Sequence, residues 1–219
     1  MLRVFTAPDG SQGNPLGVFL DGAEVPGDRR QAVARELGFA ETVFVNDAAR
    51  GEVQIFAPEM EMPFAGHPSV GTAWLLQQER SPVAALRMPA GEVPVRYESE
   101  LTWISAKPEW APPFSYVESG SPAEVDALSP SPDLRYCWAW EDEEAGRIRA
   151  RSFVPDAGIA EDEATGSAAL ALGHRLGRAI QIRQGRGSEL HARPLDGESA
   201  EVGGRVVLDE VREYPPPGG

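Results

Sequence analysis

One pattern occurs twice in this chain and limits the folds open to it. A strand ends in Phe-x-Pro, a loop follows, and Gly-[Ser/Thr]-Ala then opens an apolar helix. The first copy runs EVQIFAPEMEMPFAGHPSVGTAWLL from Glu52, and the second runs RIRARSFVPDAGIAEDEATGSAALALG from Arg147. Pro58 and Pro155 lie 97 residues apart, and Gly71 and Gly166 lie 95 apart, so a two-residue difference in loop length separates the copies. Turn signals at Gly91 and Gly185 keep nearly the same register. Solenoid repeats recur every ~20–50 residues; a repeat of about half the chain implies two related lobes.

Several segments read as strands because apolar residues alternate with small or polar ones: LRVFTA from Leu2, GVFLDG from Gly17, ETVFVND from Glu41, EVQIFAP from Glu52, VPVRYES and LTWISA. DRRQAVARELG reads as a helix capped by Asp28 and stopped by Gly38, and the helix beyond His67 is ended by Pro82. VGTAWLL and SAALALG are apolar nearly all round, which buries each inside a curled sheet. The fold class is therefore α+β, with two related lobes that each carry one buried helix. The lobes are set at residues 1–106 and 107–213, followed by a flexible tail, 214–219.

A formal charge of −14 argues against nucleic acid, whose phosphates need clustered Lys and Arg, and against an anionic membrane surface. Cys137 is the single cysteine, which removes disulfide frameworks, cysteine zinc sites and any two-thiol mechanism. The opening MLRVFTAP is too short an apolar run for a signal peptide, so a cytoplasmic protein is expected. With no HExxH, Walker loop or GxGxxG after a strand, no metal and no cofactor are expected.

The segment PFAGHPSVGTAWLL places His67 between Gly66 and Pro68 at a helix start, with Pro68 read as the first helical residue. If a pseudo-twofold axis relates the lobes, the helix starts at Gly66 and Gly166 face one cleft. Each start offers unpaired backbone N–H groups and about half a unit of positive charge. Two together suit a carboxylate or a developing enolate-like anion. Glu41 lies in FAETVFV, where apolar neighbours would raise its pKa toward values useful for proton transfer. The plainer alternatives are a tight turn at Gly66-His67-Pro68, a solvent-facing Glu41 and a loop turn at Asp162. Glu61, Glu161, Glu163, His174 and His191 carry no feature separating them from surface residues.

Taken in order, GNPLGVFLD (Gly13 to Asp21), ETVFV (Glu41 to Val45), FAGHPSVGTA (Phe64 to Ala73) and EDEATGSA (Glu161 to Ala168) resemble the PhzF-like isomerases of phenazine biosynthesis. That resemblance implies the diaminopimelate-epimerase-type fold: two pseudo-symmetric lobes, each a barrel-like sheet around a buried central helix, with the site between them. It assigns catalytic roles to Glu41, His67 and Asp162, with Glu41 as general acid/base. It assigns substrate binding to Asn14, Gly66, Ser69, Gly166 and Ser167. It further implies a small anionic substrate and a homodimer. Two departures stand out: a shortened region from Lys107 to Glu144, and Glu163 where relatives commonly carry proline. The expected activity is a cofactor-independent isomerase that moves a proton on a small carboxylate-bearing metabolite. The alternatives are a non-catalytic binding or dimerisation module, and a racemase or epimerase without the two-thiol mechanism.

Overall fold

The computed structural model describes residues 1–155 and 158–214. The chain opens with β1 (Leu2–Thr6), which precedes the first copy of the repeated unit. That copy comprises β2 (Asn14–Phe19), α1 (Gly27–Leu37), β3 (Glu41–Asp47), β4 (Glu52–Phe56), β5 (Glu61–Met62) and α2 (Gly66–Gln78). It closes with β6 (Ala85–Met88), β7 (Gly91–Glu98) and β8 (Leu101–Ala106). The second copy runs β9 (Ser115–Glu118), α3 (Pro122–Asp126), β10 (Arg135–Asp142), β11 (Arg147–Val154), β12 (Ile159–Asp162) and α4 (Gly166–Leu176). It ends in β13 (Ile180–Gln184), β14 (Ser188–Pro194) and β15 (Ala200–Leu208).

The two copies match in pairing as well as in order. β2–β3 and β4–β6 are parallel, and their counterparts β9–β10 and β11–β13 are parallel too. The β3–β4, β6–β7 and β7–β8 pairs are antiparallel, as are β10–β11, β13–β14 and β14–β15. The duplication thus extends over a whole supersecondary unit, but its register is corrected. Gly166-Ser167-Ala168 opens α4 as expected, whereas Gly71-Thr72-Ala73 lies inside α2, and the residue that opens α2 opposite Gly166 is Gly66.

α2 and α4 form the centres of the lobes. In α2 every residue from Gly66 to Ala73 is buried, as is every residue of α4 from Gly166 to Gly173. Their small side chains let the sheet wrap tightly: a Cβ on Gly71 would come within 2.7 Å of Leu16 and Val4 side-chain atoms. Around α2 the order β1-β2-β3-β4-β6-β7-β8-β15 closes on itself through the β15–β1 pairing. The second sheet continues from β15 through β14, β13, β11 and β10 and stops at β9, leaving an edge there.

β15 therefore belongs to both sheets. Its first residues pair with β8 on one side and β14 on the other, and its last residues pair with β1. The change of neighbour falls at Gly203–Gly204, where a Cβ would lie 2.4 Å from the Trp103 or Phe5 ring. The expected boundary at 106/107 coincides with the end of β8, while β15 pairs with strands on both sides of it.

Some local expectations are corrected. α1 begins at Gly27 with Pro26 in the cap position, and Asp28 sits inside the first turn, where it complements the helix dipole. Gly38 ends that helix as expected, left-handed at φ 68° with its N–H on the Ala34 carbonyl. The second strand starts at Asn14, three residues earlier than read. Pro68 is the third residue of α2, where a missing N–H is still harmless because the first four have no partner within the helix. Tyr214 packs edge-on to Phe19 and its hydroxyl donates to Glu36, and residues 215–219 of the expected tail lie outside the described residues.

Candidate active site

The two central helices meet head to head. A Cβ built on Gly66 would lie 2.6 Å from the Gly166 carbonyl carbon and from the Ser167 nitrogen. Only glycine permits backbone to approach backbone this closely. Neither helix start is capped by a side chain: Ala65 precedes α2, and Thr165, a residue type that usually caps, turns its hydroxyl elsewhere. The N–H groups of both mouths therefore face one gap with no side-chain acceptor.

That gap is a small cleft, partly open to solvent and lined by residues of both lobes. Its polar end is Glu41, His67, Asp162, Thr165 and Ser167 together with Gly66 and Gly166. Its walls are apolar: Met62 and Ala57 from the first lobe, Val154 and Ile159 from the second, and Pro112 and Phe114 from the connection between them. The segment after Lys107, flagged as shortened, thus supplies part of the wall.

Glu41 begins β3 and is 15% exposed; its Oε2 lies 3.2 Å from Nδ1 of His67, which is 2% exposed. The pair is close without being aligned as a hydrogen bond. Burial raises the Glu41 carboxyl well above its ordinary value, and the negative charge of Asp162 raises it further. Burial also lowers His67 to about 3, opposed by the Pro15 backbone, so the imidazole is neutral near pH 7. A neutral imidazole can either donate to a carboxylate or accept from a carboxylic acid.

Asp162 ends β12, the strand that returns to the start of α4. Its Oδ1 accepts from Asn14 Nδ2 at 2.7 Å and its Oδ2 accepts from Thr165 Oγ1 at 2.6 Å. Burial raises its pKa, while those two donors pull it back down and neighbouring Glu163 raises it again. Asn14 also donates to the Ala164 carbonyl at 3.1 Å. Thr165 is held in turn by Gln184, whose amide nitrogen donates to Thr165 Oγ1 at 3.0 Å and to the Asp162 carbonyl at 2.9 Å. The Gln184 Oε1 accepts from Tyr136 OH at 3.0 Å.

Glu41, His67, Asp162, Gly66, Gly166 and Ser167 come together on the cleft. Asn14 is buried behind it and touches Asp162 rather than the open space. Ser69 is one turn inside α2, with its hydroxyl donating to the Ala65 carbonyl at 2.7 Å, and it does not line the cleft. Thr165, Gln184 and Tyr136 were not singled out from the sequence. Thr165 adjoins the EDEATGSA motif and could have been found there; a fully buried Gln184 on IQIRQ gave only its inward alternation as a signal. Glu163, read as a surface acid beside Asp162, points away from the cleft. It accepts from Arg186 N at 3.0 Å and from Ser188 Oγ at 2.8 Å. Ser188 Oγ in turn accepts from the Gly13 N–H at 3.0 Å.

A family model described as phenazine biosynthesis-like protein, PhzC-PhzF, matches residues 2–135 and 136–207. The chain belongs to this family. Among its relatives, the trans-2,3-dihydro-3-hydroxyanthranilate isomerase of Pseudomonas aeruginosa is 33% identical over 225 residues, covering 82% of this chain and 80% of the relative. The isomerase of the same name from Pseudomonas fluorescens is 32% identical, with the same coverage of 82% and 80%. A PhzF-family structure from Enterococcus faecalis superposes with a TM-score of 0.75 at 22% identity, covering 94% of each chain. A hydroxyproline epimerase from Agrobacterium vitis shares the fold more distantly, at TM-score 0.52 and 13% identity, covering 95% of this chain and 88% of the other.

The PhzC-PhzF assignment agrees with the fold class read from the duplication. Among the described residues of this family member, no three His, Cys, Asp or Glu side chains gather to hold a metal ion. No described helix is long and apolar enough to cross a membrane.

Proposed function

We propose that this PhzC-PhzF member is an isomerase that moves a proton between two carbons of a small carboxylate-bearing metabolite. The observation that carries the proposal is Glu41, a carboxyl held in an apolar setting beside a neutral imidazole and facing two uncapped helix mouths. As carboxylate, Glu41 takes a proton from one substrate carbon. The resulting carbanion delocalises onto an adjacent unsaturated group, and Glu41, now the acid, returns the proton at a second carbon. A pKa raised by burial keeps that carboxyl basic enough for the first step and acidic enough for the second.

The substrate carboxylate is received by the N–H groups at Gly66 and Gly166 and by the Ser167 hydroxyl, where two helix dipoles favour negative charge. His67 stays neutral beside Glu41, so it adds no positive charge that would hold that carboxyl ionised. The apolar walls at Met62, Phe114 and Ile159 suit an unsaturated or cyclic carbon skeleton and exclude water from the proton in transit. A homodimer, supported by the family resemblance and measurable by light scattering, completes this reading.

A two-thiol racemase reading finds no support, because Cys137, the single cysteine, is buried in β10 and lines no part of the cleft. The test uses trans-2,3-dihydro-3-hydroxyanthranilate, the compound in the relatives' name, and a library of unsaturated cyclic acids in D₂O. Wild type is expected to incorporate deuterium at carbon into at least one of them. Binding without exchange, in wild type and in Glu41→Gln alike, would replace the isomerase with a binding module.

A further inference from the structure

The chain that ends on Asp162 has only one consistent assignment of its hydrogens. Thr165 N–H, which can only donate, points at Gln184 Oε1 at 3.2 Å. The Asp162 carbonyl, which can only accept, lies 2.9 Å from Gln184 Nε2. Turning the amide over would set N–H against N–H and oxygen against oxygen, so its orientation is fixed by backbone alone. Gln184 Nε2 therefore donates to Thr165 Oγ1, and the one hydroxyl proton of Thr165 is left for Asp162 Oδ2. Tyr136 donates its proton to the other side of the same amide. The same reasoning applies to Asn14, because the Ala164 carbonyl orients its Nδ2 and so directs a second N–H at Asp162 Oδ1. Both oxygens of Asp162 thus meet obligate donors, while Glu41 Oε2 has no aligned donor at all.

We infer that Tyr136, Gln184 and Thr165 are positioning residues which, with Asn14, hold Asp162 as a carboxylate and keep the single proton of the Glu41–Asp162 pair on Glu41. The proton taken from substrate then stays on the group that must return it. A second acceptor in the same cleft would otherwise hold it in the wrong place. The charged and titratable groups facing Asp162 are Glu41 from β3, His67 from α2, Glu163 beside it, and Tyr136 from β10 with Arg149 of β11 behind that ring. Tyr136 keeps its proton because burial drives its pKa up. His67 is neutral at working pH. Neither offers the pair a competing positive charge.

This inference gives the proposed isomerase a proton inventory and rests on that reading for its use, but its test needs no substrate. Aspartate and glutamate carboxyl carbons are labelled with ¹³C, and the two signals, assigned with Glu41→Gln and Asp162→Asn, are titrated by NMR. In wild type Asp162 is expected to ionise at lower pH than Glu41. Thr165→Val removes one charged-acceptor hydrogen bond and should raise the proton affinity of Asp162 by about tenfold. Thr165→Ser should restore it, and Tyr136→Phe should give a smaller rise in the same direction. Asp162 carrying the proton in wild type, or no movement in either Thr165→Val or Tyr136→Phe, would overturn the assignment. Thr165→Ser and Tyr136→Phe, both milder in packing, keep the test decisive if Thr165→Val does not fold. Failure of every acid in the D₂O assay alongside the expected titrations would remove the isomerase and leave the proton assignment standing.

Discussion

Replacing Gly66 by Ala tests the head-to-head contact of the two helices most directly. The new methyl carbon would sit 2.6 Å from two backbone atoms of the second lobe, and ordinary contact starts at 3.4 Å. The mouths of α2 and α4 must then move apart by about 0.8 Å, because neither partner atom is a side chain that can swing away. Overpacking of this kind costs about 1–3 kcal/mol. For a chain of this size that lowers the melting temperature by roughly 2–12 °C. The larger effect falls on catalysis: a displacement near 1 Å between groups that hold one substrate can cost on the order of 10²-fold in rate. Gly166→Ala should be milder, since its nearest atom, the His67 nitrogen, is 2.9 Å away. Gly27→Ala, with nothing within 4 Å, serves as control and should melt no lower than wild type. Deuterium incorporation in D₂O gives the rate, and calorimetry gives the melting temperature. Wild-type rate and melting temperature in Gly66→Ala would refute the claim that the backbones of the two lobes are in contact at the cleft.

Glu41→Gln should lose about 10²–10⁴-fold of proton-transfer rate while ligand still raises the melting temperature. Because the folded state raises the Glu41 pKa, the carboxyl favours folding below its unfolded value near 4.5 and loses that contribution as pH rises through the folded value. Stability of Glu41→Gln relative to wild type should therefore increase with pH above 4.5, read by urea titration. For His67 the sign is opposite. Its pKa falls from 6.5 to about 3, so the unfolded chain binds the extra proton and wild type should lose about 3 kcal/mol between pH 6.5 and 4 relative to His67→Asn. Equal slopes in the two proteins would show that the imidazole is not buried neutral. Ser188→Ala leaves the buried Gly13 N–H without its partner, while Glu163 Oε1 keeps the Arg186 N–H, and should cost about 1–3 kcal/mol in a urea titration. An unchanged midpoint would show that the link contributes nothing.

What the sequence determined by itself is local and periodic. Phe-x-Pro, a loop and an apolar Gly/Ala-rich run recur, which was enough to call for two like lobes with a buried helix each, although Gly71-Thr72-Ala73 falls inside α2 rather than at its mouth. Glu41 was only half legible: Val43 and Phe44 raised the idea of an elevated pKa, but a solvent-facing carboxyl read at least as well, and it is burial in the cleft near Asp162 that decides it. The tertiary structure alone decided which groups meet across long separations. Asn14 reaches Asp162 over 148 residues, Thr165 gives its hydroxyl to Asp162 instead of capping α4, and Glu163 turns to the turn at Arg186. Strand β15 closes the first barrel from the far end of the chain. Periodicity states which face of an element is apolar, but hydrogen-bond partners depend on register and on the angle at which two lobes close, and those emerge only once the whole sheet is assembled.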